Sequence, residues 1–306
     1  VPANFDSQKG NNSVNVLEGP RRERRHVIVG GSSYWVTAEG DTLTLPDGRQ
    51  VSASTVQHLP PCAPTKILAT HLAYWSRQRE NRPGQQPSTP TYFSKPVTTL
   101  NAHGGELVRP VGCQYLNYEG EIAAIIGRVT RNVTPDEVWD CIAGFAVAND
   151  VGLQDFRDTD GGSMLRVKGQ DGFCPIGPGI VSGVDVRQST IRTYLNGLLV
   201  QQASVAEEMI FGIDYQIADL ARYITLVPGD IILTGTPANS RPMQLGDVVE
   251  VEVTGLGRIR NTVVSAPDPR ATVGHMPTDS AEVRRVALGS DERLPAGLNR
   301  VLVPKR

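Results

Sequence analysis

Tyr118-Glu119-Gly120-Glu121-Ile122-Ala123-Ala124-Ile125-Ile126-Gly127-Arg128 opens acidic and continues as an unbroken apolar run. Residues two apart on a strand point to the same face, so Glu119 and Glu121 lie side by side. The run Ile122 to Ile126 reads as a strand buried on both faces. Two carboxylates entering a buried strand repel each other unless a cation or a shared proton lies between them. The stretch therefore predicts a β-rich fold with an acidic pair at a strand entrance. Spacing alone does not make a site. Glu250 and Glu252 repeat it within the strictly alternating Val249 to Val253, which reads as a solvated outer face with valines inward.

Downstream, Thr134-Pro135-Asp136-Glu137 carries a helix start: Thr134 caps, Pro135 fits the first turn and Glu137 closes a capping box. Val138, Cys141 and Ile142 give the stripe, and Gly144 marks the expected stop. Phe145 to Ala148 then reads as a strand ending at Asn149-Asp150. A crossover through the helix can bring that strand end beside Glu119 and Glu121. Asp150 is then either a third carboxylate ligand or a turn aspartate. Three carboxylates suit a hard cation, magnesium or manganese; zinc fits less well, because neither segment holds a His or Cys.

The rest of the chain fits an α+β, β-rich organisation. Residues 1–25, ending in the charge run Arg21 to Arg25, read as a flexible leader, and 26–60 as a small N-terminal β subdomain. The main body spans 61–265, with a Pro, Gly and Gln-rich loop at residues 81–91 of the kind that often serves as a lid. Asn196-Gly197 marks a hairpin turn, and Met209 to Tyr223 a helix. Residues 266–306 lose all pattern and read as an extension outside the core.

Of 306 residues, 39% are hydrophobic and 20% charged, with a formal net charge of -2. That composition fits a globular chain and offers no basic field for nucleic acid. No apolar run is long enough to span a bilayer, so no membrane partner is expected. Cys62, Cys113, Cys141 and Cys174 lack zinc or redox spacing and read as reduced, mostly buried thiols of a cytoplasmic protein.

Taken together these segments resemble the fumarylacetoacetate hydrolase superfamily from about Pro61 to Ser265. The likeness rests on Tyr118 to Arg128, Asn149-Asp150-Val151, Val167 to Pro178, Leu195-Asn196-Gly197 and Pro228 to Pro237. The resemblance implies a mixed β-sandwich roll, usually homodimeric, with Glu119, Glu121 and Asp150 as ligands of Mg²⁺ or Mn²⁺. It implies that Lys168 stands beside the metal and that Thr236 binds the substrate carboxylate. Lys95 matches a pocket lysine, or is a surface ion pair. Many C–C-cleaving members carry a His and a Glu in the lid that activate water. Here Glu80 is in place, but Arg77 stands where the His belongs, with His71 nearby and out of register. A second departure puts Gln154 where many members have Arg. The nearest branch is the homoprotocatechuate-pathway decarboxylase and 5-carboxymethyl-2-hydroxymuconate isomerase.

The expected chemistry is a metal-stabilised enolate of an unsaturated 2-oxo acid, leading to decarboxylation or isomerisation in aromatic catabolism. Lys168, Glu80 and Arg77 are the candidate catalytic residues, and Thr236, Lys95, Gln154 and His71 the candidate substrate contacts. A C–C hydrolase of acylpyruvate type is the alternative, and a non-catalytic metal-binding relative the lesser one. His103 reads as a loop residue. Arg157 to Gly162 reads as a solvated loop or a rim contact.

Overall fold

The computed structural model describes residues 15–270, 273–290 and 295–301. The leader expected over 1–25 lies outside the described residues up to position 14, and its end proves to be a strand. β1 (Arg22–Val29) begins inside the charge run. Alternation explains this: Glu23 turns inward, and Arg21 and Arg25 each meet it at 2.6 Å. The run neutralises its own buried carboxylate, so strand pairing outweighs solvation. β2 (Ser32–Glu39), β3 (Thr42–Thr44), β4 (Gln50–Ser52) and β5 (Gln57–Leu59) follow. They enclose a small core of Val27, Val36, Leu43 and Leu45.

β6 (Ile67–His71), helix α1 (Trp75–Asn81) and β7 (Thr91–Lys95) come next, then β8 (Leu100–Ala102), β9 (Glu106–Arg109) and β10 (Leu116–Asn117). β11 (Gly120–Ile126) is buried along its whole length. α2 (Pro135–Val138) starts on the expected capping box, with both halves formed. It is shorter than its apolar stripe implied. A 3₁₀ turn, Trp139–Cys141, carries the chain into β12 (Ile142–Asn149), so Gly144 lies within a strand and not at a helix stop. Ile142, Phe145 and Val147 pack in the sheet core, and that burial outweighs extending a one-turn helix.

β13 (Gly152–Leu153), α3 (Arg157–Asp160), α4 (Leu165–Lys168) and β14 (Cys174–Ser182) complete the middle of the chain. β15 (Thr190–Leu195) and β16 (Leu198–Ser204) form the expected hairpin across Asn196-Gly197. α5 (Val205–Glu208), α6 (Ile213–Tyr223), β17 (Ile231–Leu233), β18 (Val248–Val253), β19 (Gly257–Ser265) and α7 (Ala281–Leu288) finish it. The expected helix from Met209 is thus only α6. In β18 the valines are buried and Glu250 and Glu252 partly exposed, as the alternation requires.

The main sheet runs β4-β3-β2-β1-β14-β12-β11-β17-β6-β7, and a second runs β16-β15-β18-β19-β9. The two stack with Ile122, Ala124, Phe145 and Val147 facing Ile191, Val251, Val253 and Ile259, while α6 adds Ile213 and Ile217. This is the expected β-rich α+β sandwich, and it has no closed barrel among the described residues. β1 belongs to the main sheet through β14, so the N-terminal strands continue that sheet. β11 and β12 are antiparallel neighbours with Gly120 opposite Asn149, not strands joined by a crossover. That topology sets the end of β12 against the start of β11.

The tail departs furthest from expectation. α7 is capped by Ser280 and buries Val283 and Ala287 beside Tyr115. Its pattern is only two turns long, too short to stand out among the charged residues around it. The four cysteines are free and buried. No described helix is long and apolar enough to cross a membrane.

Candidate active site

Strand parity aims the acidic residues. Ala123, Ile125, Ala146 and Ala148 share one buried face of the main sheet with Val167 of α4 and Phe93 of β7. Glu121 and Asp150 continue that parity at the open ends of β11 and β12. Glu119 sits one residue before β11; its N–H donates to Asn149 Oδ1 (2.8 Å), and its carbonyl accepts from Asp150 N–H (2.8 Å). One ligand oxygen from each of Glu119, Glu121 and Asp150 lies within 4.8 Å of the others, all three side chains buried.

Two glycines allow this geometry. A Cβ at Gly120 would stand 2.3 Å from Thr193 Oγ1 and 2.9 Å from Val251 Cγ1, so the second sheet presses on the acidic strand there. Gly235 has φ +99°, and its N–H donates to Glu121 Oε2 at 2.7 Å. A side chain at Gly235 would be strained and would meet Ala73 at 2.6 Å.

Cations surround the carboxylates. Lys168 Nζ donates to Glu119 Oε2 (2.7 Å), Asp150 Oδ2 (2.8 Å) and the Asp150 carbonyl (2.7 Å). Lys95 Nζ donates to Asp150 Oδ1 and to the Lys168 carbonyl, each at 2.6 Å. Arg77 bridges Glu119 Oε1 and Glu80 Oε2, both at 2.8 Å, and Arg241 holds Glu80 Oε1 at 2.8 Å. Four carboxylates, Glu80, Glu119, Glu121 and Asp150, thus face four cations, Arg77, Lys95, Lys168 and Arg241.

The electrostatics are uneven within that balance. Burial would raise Glu119, but Lys168 and Arg77 overcome it and hold the carboxyl below its usual range. Glu121 goes the other way: burial first, then Asp150 and Glu119, push it well above the usual carboxylate range. The Gly235 N–H opposes that push only in part. Burial works against the charge on Lys168, yet Asp150 and Glu119 outweigh it and keep the ammonium charged. Glu121 is the unrelieved member, and a cation among the three oxygens would relieve it. The all-oxygen donor set suits a hard dication.

A cavity of about 500 Å³ opens over this cluster, its walls including His71, Arg77, Gln154, Lys168 and Thr236. Thr236 Oγ1 is held by Gln201 Nε2 at 3.1 Å. His71 ends β6 and lies against Phe93 at 4.5 Å; burial, then Lys168, lower it to about 4, so it is neutral at neutral pH. Lys95 and Glu80 stand behind the wall, and the surface ion pair weighed for Lys95 is excluded by its full burial. His103 follows β8 and accepts from Arg260 N–H, away from the cavity.

Several residues on or behind the wall were not found from the sequence. Arg241 is one, a single arginine in a loop with no pattern to mark it. Arg157 is a rim residue, the sharper of its two readings, and lines the cavity with Glu282, Arg285 and Val286 of α7. The Ser280 cap followed by Val283, Val286 and Ala287 at helical spacing was the available signal for α7.

The model of the fumarylacetoacetate (FAA) hydrolase C-terminal family matches residues 66–264. The chain belongs to the fumarylacetoacetate hydrolase family. Within it, a bifunctional isomerase/decarboxylase of 4-hydroxyphenylacetate degradation from Salmonella dublin is 38% identical over 181 residues, 58% of this chain and 42% of that longer protein. The structure of a 5-carboxymethyl-2-hydroxymuconate delta-isomerase from Mycobacterium smegmatis superposes with a TM-score of 0.74 at 30% identity. It covers 80% of this chain and 100% of the isomerase. A maleylpyruvate hydrolase from Sphingobium sp. SYK-6, solved with manganese (II) ion and pyruvate, shares the fold at a TM-score of 0.67 and 24% identity, covering 80% of this chain and 100% of the hydrolase. The likeness to the homoprotocatechuate isomerase/decarboxylase branch therefore holds.

Proposed function

We propose that this member is a divalent-metal enzyme that decarboxylates or isomerises an unsaturated 2-oxo acid through an enolate. The observation that carries the reading is the buried triad of Glu119, Glu121 and Asp150, with oxygens within 4.8 Å and Glu121 left uncompensated. These three residues would hold the metal, Mg²⁺ or Mn²⁺. When bound, the ion supplies Lewis-acid stabilisation of negative charge on the substrate's 2-oxo oxygen. Lys168 sets a fixed ammonium beside that position, held by two carboxylates and a carbonyl. Thr236, oriented by Gln201, offers a hydroxyl to the substrate carboxylate. With a dication added to four carboxylates and four cations, the site would become net positive and favour an anionic substrate.

Glu80 bears on the choice between the branches. Water-activating carboxylates must be able to accept a proton. Glu80 is gripped by Arg77 and Arg241 and accepts from Asn239 N–H at 3.2 Å. Burial raises it, but the two guanidiniums win and hold it below the usual range. It acts as a positioning residue for Arg77, and Arg77 positions Glu119. This favours decarboxylation or isomerisation over hydrolysis.

The test is product analysis with Mg²⁺ and unsaturated 2-oxo diacids. Release of CO₂, or a shifted double bond without carbon loss, supports the reading. Carboxylic-acid fragments would move the assignment to hydrolysis, and a Glu119→Ala variant as fast as wild type would remove the metal mechanism altogether.

A further inference from the structure

α7 is fixed to the same segment that carries Gln154 and Asp150. Thr278 N–H and its hydroxyl donate to the Asp155 carbonyl at 2.9 and 3.0 Å, Tyr115 donates to Asp279, and Asn117 Nδ2 donates to the Ala287 carbonyl at 2.9 Å. With Val283 and Ala287 turned inward, Glu282 and Arg285 are presented at the cavity. Arg285 holds both oxygens of Glu282, at 2.7 and 2.8 Å, and its NH1 reaches the Asn81 carbonyl at the end of α1, 3.4 Å away. From the other side Arg157 Nε approaches Glu282 at 3.9 Å, and Arg157 NH1 donates to Gln154 Oε1 at 3.3 Å. One half-exposed carboxylate thus lies between two guanidiniums on the wall of the cavity. Arg157 is poorly compensated there: burial, and the nearby Arg77 and Arg285, all disfavour its charge against Glu282 and Glu119.

We propose that Arg157 and Arg285 form a clamp for a second carboxylate of the substrate, with Glu282 filling the clamp until the substrate's own carboxylate replaces it. This rests on the reading above, in which the first carboxylate and the 2-oxo group sit over Glu119, Glu121 and Asp150. The planar guanidinium fork suits a carboxylate in two-point contact, and exchanging one carboxylate for another keeps Arg285 paired while giving Arg157 the closer partner it lacks. The contact of Arg285 with Asn81 means that filling the clamp also bears on the end of α1.

The experiment is calorimetric binding to the full chain with Mg²⁺, comparing acids of equal length with and without a terminal carboxylate: 2-oxoglutarate against 2-oxopentanoate, and 2-oxoadipate against 2-oxohexanoate. In the wild type at least one diacid binds about tenfold tighter than its partner. Arg157→Gln and Arg285→Met each remove that preference while changing the monoacids by less than about twofold. Glu282→Gln, which keeps the helix surface polar, leaves the diacid as tight or tighter. Monoacids that bind while diacids gain nothing, or variants that weaken both acids alike, would overturn the clamp alone. A wild type that binds none of the four would overturn the 2-oxo-acid reading, and the clamp with it.

Discussion

Replacing Glu121 by Gln makes the protein more stable without metal and less stable with it. Glu121 lies within 4.8 Å of both Glu119 and Asp150, and its carboxylate accepts a single backbone hydrogen bond, from Gly235. At that separation, and an effective dielectric of about 20, two like charges repel by about 3.5 kcal/mol. Two neighbours double this, the Gly235 N–H and then Lys168 oppose it only in part, and taking up a proton relieves most of the rest. A net penalty of about 2 kcal/mol remains for a buried carboxyl in this position. Glutamine keeps an oxygen for the Gly235 N–H and removes the charge. In chelator, Glu121→Gln is expected to melt about 4 °C above wild type, at roughly 2 °C per kcal/mol for a chain of this size. Excess Mn²⁺ at about a thousand times its dissociation constant adds about 4 kcal/mol to the wild type and little to the variant, so their order reverses. Melting curves recorded in chelator and in Mn²⁺ check both halves. A variant that melts below wild type in chelator, or that gains as much from Mn²⁺, would refute the reasoning.

Other perturbations follow from the same contacts. Asp230 accepts from Thr65 N–H, Thr65 hydroxyl, Lys66 N–H, Val227 N–H and Lys66 ammonium; burial raises its carboxyl, but these donors hold it below the usual range. A lowered folded-state value stabilises above the unfolded value and is lost as pH falls through the folded one. Asp230→Asn should therefore lose about 2–3 kcal/mol in urea unfolding at pH 7, with the gap to wild type closing towards pH 3. Gly120→Ala forces a Cβ against Thr193 and Val251, and should lower stability by about 1–3 kcal/mol while weakening Mn²⁺ binding measured by titration calorimetry. Lys168→Met should lower kcat about a hundredfold or more with metal affinity retained, and equal loss of both would assign Lys168 a structural role. Glu80→Gln should cost turnover less than about tenfold if Glu80 only positions Arg77; a loss above a hundredfold would restore it as a proton acceptor.

What the sequence made legible was whatever repeats at short range. The parity of Glu119 and Glu121 against the apolar run, the Thr134 capping box, the valines of Val249 to Val253 and the Asn196-Gly197 turn all came through as read. Partners distant in the chain did not. Arg241 reaches Glu80 across 161 positions, and nothing in the local pattern around either residue announces that pairing. The β11–β12 relation was misjudged because a helix start between two strands suits a crossover as well as an antiparallel return. The charge run Arg21 to Arg25 suggests a solvated leader, but Glu23 is the buried centre of two ion pairs that the local pattern does not announce. α7 was missed because two turns of amphipathic pattern carry little signal, while its position depends on Tyr115, Asn117 and Asp155 far upstream.

The even match of acids and bases around the triad has a consequence for order of assembly. A pocket of bare carboxylates would resist closing until an ion arrived, and folding would then wait on metal supply. Here lysines and arginines already pair with Glu80, Glu119 and Asp150, so closing the pocket does not have to wait for an ion.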